Sequence, residues 1–206
     1  MSAIPHSKWP KVAQRYKLGF SMREVAKDFN VSIDAVVYVL RKLTIPRRSM
    51  TEANKIVFNA KTPSFTIKTK RTLEQKTLET IGAMLYWAEG YKTELAAGID
   101  FANSNVDMVL LFMRFLRSRY QLDEKRLRPM IYCYSNQDAN TLTKFWSNIL
   151  HIPIEQFTKP YVRTDYREHG RKMEHGLIHI RYNDKKLLLD VLNLIESYKM
   201  RYASVG

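Results

Sequence analysis

Residues 21–43 constrain the fold most, because two helix starts and one turn signal occur within this short segment. Ser21 and Glu24 have the spacing of a capping box, which marks the first turn of a helix. Asn30 tolerates the left-handed backbone conformation of a tight turn, and Ser32 is a residue type that caps a following helix. The segment therefore predicts two helices joined by a tight turn, the second spanning Ile33–Leu43.

The apolar residues of this region predict a small three-helix core. They recur at helical spacing along the two helices and along an upstream helix that begins near Trp9. Ala26 is small enough to let the next helix cross closely. The predicted inward positions are Trp9, Val12, Ala13, Tyr16, Val25, Ala26, Phe29, Val36, Val39 and Leu40.

The spacing from Ala26 to the turn, and on to Val36 and Val39, resembles the helix-turn-helix of resolvases and small bacterial regulators. The resemblance implies that the second helix enters the major groove of double-stranded DNA. An ordinary short helical hairpin would show a similar pattern, so that alternative stays open. The candidate DNA-contacting residues of this lobe are Ser32, Asp34, Val37, Tyr38, Arg41, Lys42, Arg47 and Arg48.

The charge of the chain points to a polyanionic partner. The formal net charge is +14, and so many Lys and Arg side chains lie on the surface because they are seldom buried unpaired. Cys133, the single cysteine, cannot form an internal disulfide and is interpreted as a small buried hydrophobe. Apolar runs are too short to span a bilayer, and the N-terminus lacks a secretory signal, so we expect a cytoplasmic, nucleoid-associated protein without a membrane partner.

Composition divides the chain into three parts: residues 1–48 as the helix-turn-helix domain, 49–72 as a basic linker, and 73–206 as a second domain. The linker shows little helical period and is rich in Thr, Ser and Lys. Two interpretations of it remain open. It either follows a phosphate backbone, or it is a solvated loop that packs on the second domain through Val57, Phe58 and Phe65.

The second domain has the alternation of helices and short strands typical of an α+β fold, with an antiparallel or mixed sheet flanked by helices. The predicted helices are Leu73–Tyr91, Val106–Tyr120, Asp138–Leu150 and Asp184–Tyr198. The predicted strands are Gly98–Asn103, Arg128–Tyr134, Phe157–Arg163 and Leu177–Tyr182, with the last two forming a hairpin around a basic turn. We find no phosphate-binding loop or catalytic triad, and we expect no small-molecule cofactor.

Two groups of titratable residues suggest chemistry. Glu89 lies at the end of a predicted helix, where the helix dipole disfavours an acid, so it needs compensation by a cation or a nearby Lys. His175 and His179 share a strand face, but no further ligand has the spacing of a structural zinc site. A solvated or phosphate-contacting histidine is the interpretation that we adopt for them.

The segment from Gly82 to Lys92, which ends in Glu89-Gly90, resembles the motif helix of the LAGLIDADG homing endonucleases. The strand and helix that follow, from Phe101 to Asp107 and beyond, also resemble that family. The resemblance covers about residues 73–198 and implies a fold that lays a concave sheet along double-stranded DNA. Its implied sheet contacts are Lys92, Lys159, Arg163, Arg171, Lys172 and Arg181.

What the resemblance implies for catalysis is specific. Family members place two motif helices side by side, and each helix supplies one acid to divalent metal ions that activate water. Carried over, Glu89 is the catalytic Mg²⁺ ligand, and Lys92 or Lys159 lies near the scissile phosphate. Because the chain shows one motif, a complete site requires a homodimer.

Departures from the family pattern favour a second function. Met84 replaces the glycine that allows close helix crossing, and Trp87 replaces a further acid, although Gly82, Ala83 and Ala88 would still permit a close approach. Proteins of this fold that have lost cleavage act as transcriptional regulators. The sequence thus favours a metal-dependent endonuclease or a non-catalytic DNA-binding regulator, with an RNA-binding or protein-docking adaptor as a third class.

Overall fold

The chain forms two compact units, Met1–Thr62 and Pro63–Gly206. The computed structural model describes residues 4–164 and 173–203. Within these residues the first unit is helical, whereas the second combines helices with two sheets. The α+β class predicted from the sequence is therefore confirmed. In the same residues, no helix is both long and apolar enough to cross a membrane.

Among its described residues, the first unit contains four α-helices: α1 (Trp9–Lys17), α2 (Met22–Asp28), α3 (Ile33–Lys42) and α4 (Met50–Ala60). Ser21 and Glu24 form the expected capping box at the start of α2. Asn30 has a φ of 51°, which is the left-handed conformation expected for the turn, and Ser32 caps α3. The local signals of residues 21–43 are thus confirmed at the level of helices and turn.

A compact apolar cluster holds the first unit together. Its buried residues are Ile4, Val12, Tyr16, Val25, Ala26, Val36, Val39 and Leu40. Trp9 and Phe29 pack at its edge, whereas Ala13, also predicted to face inward, is half-buried and lies outside this cluster. Because α3 buries one face here, its opposite face is left toward solvent.

Residues 49–72 do not form the predicted basic linker. They contain helix α4, which belongs to the first unit, and strand β1 (Phe65–Ile67), which belongs to the second. The physical reason is a second capping box, in which Ser49 and Glu52 repeat the spacing of Ser21 and Glu24 and start α4. Phe65 packs against the core of the second unit, as one interpretation expected, whereas Val57 is exposed.

The second unit follows the predicted order of helices and strands, with bounds shifted by a few residues. After β1 its elements are α5 (Leu73–Glu89), β2 (Ile99–Asn103), α6 (Val106–Arg119), β3 (Tyr120–Leu122), β4 (Met130–Tyr134), α7 (Ala139–Leu150), β5 (Tyr161–Arg163), β6 (Leu177–Tyr182) and α8 (Lys185–Tyr202). Strands β1 and β3, which were not predicted, pair with each other in a two-stranded sheet.

The main sheet is mixed and has the strand order β2-β6-β4-β5. Strand β6 is antiparallel to both β2 and β4, and β5 is parallel to β4 at the edge. The predicted hairpin of the last two strands is therefore wrong. Ile178 pairs with Asn103 on one side and with Ile131 on the other, so both edges of β6 are already occupied.

Side chains alternate between the two faces of this sheet. One face is buried in the core of the second unit, together with residues of α5 to α8; it includes Phe101, Ile131, Cys133, Ile178 and Ile180. Burial of Cys133 agrees with its interpretation as a small hydrophobe. We call the opposite face the open sheet face; its main polar and aromatic residues are Asp100, Tyr132, Tyr134, Tyr161, Arg163, His179 and Arg181.

Helix α5 packs closely on α6 through Gly82. A Cβ atom at this position would lie 2.1 Å from Cγ of Phe115, so only glycine fits without a rearrangement. Gly82 and Ala83 are both buried within the chain. Gly82 therefore serves the α5–α6 contact and Ala83 belongs to the core, which corrects the expectation that they would admit a second motif helix; Ala88 remains exposed.

Candidate nucleic-acid interface

The solvent-facing side of α3 carries most of the contact residues predicted for the first unit. Asp34, Tyr38, Arg41 and Lys42 are exposed, and Val37 is half-buried. The Ser32 hydroxyl accepts a hydrogen bond from the backbone N–H of Ala35 at 3.2 Å, so it caps the helix. We call the four exposed residues Asp34, Tyr38, Arg41 and Lys42, together with the half-buried Val37, the α3 surface.

Tyr38 is the centre of the α3 surface, with 46% of its area exposed. The Trp9 ring meets it edge-on at 6.1 Å, which ties the tyrosine to the core. The Arg41 guanidinium lies 6.0 Å from the centre of the Tyr38 ring, and the Lys42 ammonium lies 5.7 Å from it. The end of α3 therefore presents two cations beside an aromatic ring, a combination suited to phosphate and sugar contacts.

Arg48 has a structural role in the first unit. Its guanidinium donates hydrogen bonds to the carbonyls of Gly19 at 2.9 Å and Tyr16 at 3.1 Å, and also to the carbonyl of Phe20. The same group lies 4.1 Å from the centre of the Tyr16 ring. Its donors are thus engaged within the protein, so we remove Arg48 from the predicted DNA contacts. Arg47, in contrast, is exposed.

The end of α5 is fastened to strand β2, and this contact fixes where Glu89 lies. Gly90 forms an isolated antiparallel β-bridge with Phe101. A Cβ atom on Gly90 would lie 2.5 Å from the Tyr86 ring. The Tyr86 phenol donates a hydrogen bond to the Tyr91 carbonyl at 2.8 Å, and burial raises the pKa of this phenol to about 12. The close contact with Tyr86 explains why a glycine, Gly90, follows the acid. Glu89 itself is exposed.

Glu89 lies at a cleft of about 340 Å³ between the end of α5 and the sheet. The cleft is lined by Glu89, Gly90, Tyr91, Asp100, Ala102 and His179. Asp100 pairs with His179 Nδ1 at 2.7 Å through one carboxylate oxygen and accepts a hydrogen bond from Arg181 Nε at 3.0 Å through the other. Asp100 therefore orients both neighbouring side chains.

The environment of Asp100 favours its charged form. Burial on its own raises the pKa of this carboxyl group. The hydrogen bond and electrostatic attraction from His179, with the positive charge and hydrogen bond of Arg181, outweigh burial and lower the pKa of Asp100 below its ordinary value. Asp100 is consequently a carboxylate at neutral pH whose two oxygens are both in use.

The described residues at the cleft of one chain supply too few ligands for the Mg²⁺ ion that the family resemblance implies. Among the described residues, no group of three or more His, Cys, Asp or Glu side chains is arranged to hold a metal. Glu89 contributes one carboxylate, and Asp100 is committed to its two partners. The Lys92 ammonium donates to the Gly90 carbonyl at 2.6 Å, and Lys159 is exposed but is not part of the cleft lining.

The open sheet face brings together residues that sequence analysis treated separately. Arg181 and Arg163, both predicted contacts, lie on it, and Arg163 is exposed, with its guanidinium 5.9 Å from the centre of the Tyr134 ring. The Asp100–His179 pair was missed. The sequence does contain a signal for this pair, because residues 99–103 and 177–182 alternate and place polar side chains on one face of each strand. Only the pairing of β2 with β6 shows that these two faces are adjacent.

The predicted contacts Arg171 and Lys172 lie outside the described residues. Comparison of the chain with protein-family models, with characterised proteins and with solved structures gave no match.

Proposed function

We propose that this chain is a double-stranded DNA-binding protein of the LAGLIDADG homing endonuclease type, with a helix-turn-helix as its first unit. The α3 surface is the observation that carries the proposal. Val36, Val39 and Leu40 are buried, which leaves Tyr38 and the cations beside it exposed. An exposed helix of this kind suits the major groove, with its first turn near base edges and its cationic end near phosphates.

The charge of the chain supports the same partner. A net charge of +14 favours binding to a polyanion through release of counterions. Localisation at the nucleoid in the cytoplasm is part of the proposal. In the second unit, Arg163 and Arg181 on the open sheet face, with Lys92 and Lys159, would lie along the duplex, as the family resemblance implies.

DNA cleavage is the narrower part of the proposal. Glu89 would be the Mg²⁺ ligand, because it is exposed at the end of α5 and its carboxylate is not committed to another described side chain in the way that Asp100 is. The described residues of one chain place one such carboxylate at the cleft, so a single chain leaves the metal site incomplete. Cleavage requires a homodimer that brings two Glu89 side chains together.

A second candidate function is that of a non-catalytic transcriptional regulator. The observation that favours it is the burial of Gly82 against α6 and of Ala83 in the core, which removes them as a surface for a second motif helix. Met84 is half-buried and packs against the core, whereas Trp87 is exposed. In this case the second unit would bind DNA or dimerise without cutting.

The DNA-binding proposal is tested on duplexes selected by the full chain from a random library. Replacing Arg41 and Lys42 together by Ala should weaken binding and reduce the salt dependence by about two phosphate contacts, because each cation releases about one counterion. Replacing Lys76 and Arg114 by Ala is the matched control, since it removes two exposed cations from the second unit. A salt slope that falls equally in both variants would reject docking through α3.

Cleavage is tested on the selected duplexes with and without Mg²⁺. Glu89→Gln should abolish cutting and leave binding intact, because it removes the ligand charge and retains the shape of the side chain. Glu94→Gln, a nearby exposed carboxylate, is the control. Binding without cutting on every selected duplex would establish the regulator in place of the endonuclease.

A further inference from the structure

Three aromatic rings lie side by side across the open sheet face. Tyr161 of β5 pairs in register with Tyr132 of β4, and their ring centres are 5.0 Å apart. The His179 ring of β6 lies 4.5 Å from Tyr132 on the other side. Each pair is tilted by 44°, so the rings form a continuous cluster from the edge strand toward the centre of the sheet.

The cluster is anchored at its inner end and accessible at its outer end. Asp100 holds Nδ1 of His179, and in the described part of the chain Nε2 of that ring has no hydrogen-bond partner. Tyr132 is half-buried between its neighbours, whereas Tyr161 exposes 55% of its area. The outer ring is therefore open to a ligand, and the inner rings provide it with a rigid support.

A cleft adjoins the outer ring. Its volume is about 420 Å³, which is in the range of small-ligand sites, and its lining is Tyr132, Tyr161, Val162, Arg163 and Thr164. Arg163 lies two residues after Tyr161 on the same strand, so both side chains belong to one side of it. The Tyr161 ring and the Arg163 side chain therefore lie next to each other on one side of β5. Their spacing is similar to that between a base and the neighbouring phosphate of a nucleic-acid strand.

We propose that this cluster binds an unpaired nucleobase, from a single-stranded or extrahelical segment, against the Tyr161 ring. Every base has a π-face that stacks on an aromatic side chain, and Arg163 would contact the adjoining phosphate. Bases within a duplex expose only their edges in the grooves, so a stacking site selects bases that are out of the helix. This binding activity goes beyond the proposed recognition of duplex DNA.

The test compares two labelled single strands of about twelve nucleotides, oligo(dT) and an abasic strand with the same number of phosphates. The full chain should bind oligo(dT) about 10-fold more tightly, because the abasic strand offers charge without bases. Equal affinity for the two strands in the unaltered chain would overturn the proposal, and this comparison requires no variant. Oligo(U) in a parallel measurement tells whether RNA and DNA bases are both accepted.

Variants locate the site. Tyr161→Ala should abolish the preference for oligo(dT) and leave binding of the abasic strand unchanged, whereas Tyr161→Phe should retain the preference because it keeps the ring. Tyr202→Ala removes another strongly exposed tyrosine of the second unit and should have no effect. A preference that survives Tyr161→Ala would reject this site.

The same assay separates this inference from the proposed function. Replacing Arg41 and Lys42 by Ala should lower affinity for duplex DNA while the preference for oligo(dT) over the abasic strand is retained. If duplex binding fails and that preference remains, only the helix-turn-helix proposal is lost. If the preference disappears in the unaltered chain and duplex binding remains, only the stacking site is lost.

Discussion

The α3 surface and the open sheet face place cations in different settings. On α3, Arg41 and Lys42 are exposed and lie about 6 Å from the centre of the Tyr38 ring. On the sheet, Asp100 holds His179 at 2.7 Å and Arg181 at 3.0 Å. The first surface offers exposed charge, and the second offers side chains that are held by hydrogen bonds within the protein. Replacing a residue of the α3 surface should therefore mainly change the local charge. Replacing a residue of the open sheet face should mainly change the positions of its neighbours.

The two units also differ in how they are held together. The first is small, with few fully buried residues, and adds Arg48 as a polar clamp on three carbonyls. The second buries a large aromatic core in which Gly82 and Phe115 are in close contact. Small domains bury less apolar surface per residue, so a polar clamp contributes a larger share of their stability.

Gly82→Val should have the largest effect. The new side chain would collide with Phe115 in the α5–α6 contact, and we expect the second unit to lose about 4 kcal/mol or more of stability. Thermal denaturation followed by circular dichroism should show this transition shifted downward. Ala88→Val, at an exposed position of the same helix, should change little. Equal stability of the two variants would disprove the close packing.

Arg48→Ala should come next. It removes a charged donor from the carbonyls of Gly19 and Tyr16, and we expect a loss of about 2–3 kcal/mol from the first unit. Urea denaturation of the full chain, followed by the NMR signal of the Trp9 indole N–H, is the measurement. Arg47→Ala should leave the midpoint nearly unchanged. If Arg48→Ala instead kept the midpoint and lowered only DNA affinity, Arg48 would return to the predicted DNA contacts.

Asp100→Asn should destabilise the second unit by about 2 kcal/mol at neutral pH, because His179 and Arg181 lose a charged acceptor. The pKa of Asp100 is lowered in the folded state from its ordinary value of 3.8. Its contribution is therefore present above pH 3.8 and is lost as pH falls through the lower folded value.

The measurement is the difference in unfolding free energy between the unaltered chain and Asp100→Asn over a range of pH. The difference should shrink as the pH falls below 3.8. A difference that instead grows below this pH would contradict the charged Asp100 contacts on the open sheet face.

Ser32→Ala should have the smallest effect of the series. It removes the cap of α3, and the first unit should lose about 1 kcal/mol of stability. Ser32→Gly is the control, with an expected loss of only a few tenths of a kcal/mol. A shift in the urea midpoint measures both. If DNA specificity also changes in Ser32→Ala while the fold is retained, Ser32 contacts DNA in addition to capping α3.

Local patterns were sufficient for most elements of the fold. The caps at Ser21 and Ser32, the turn at Asn30 and the apolar period of α3 were all predicted, because each signal spans only a few residues. Helix α4 was missed, although Ser49 and Glu52 carry the same capping signal as Ser21 and Glu24. The composition of residues 49–72 obscured that signal.

The candidate sites were predicted less completely than the elements. Exposed positions on α3 follow from one buried face, so most residues of the α3 surface could be inferred. Arg48 could not, because its carbonyl partners are contributed by residues 28 to 32 positions earlier in the chain. The Asp100–His179 contact likewise joins residues 79 positions apart.

The amino-acid sequence alone determined the charge of the chain, the starts of its helices and the alternation of its strands, because these depend on neighbouring residues. Tertiary structure decided that β6 lies between β2 and β4, that Gly82 packs on Phe115, and that one sheet face unites Asp100 with His179. Strand order and helix contact depend on burial shared by distant segments, and a local pattern does not encode which segments share it.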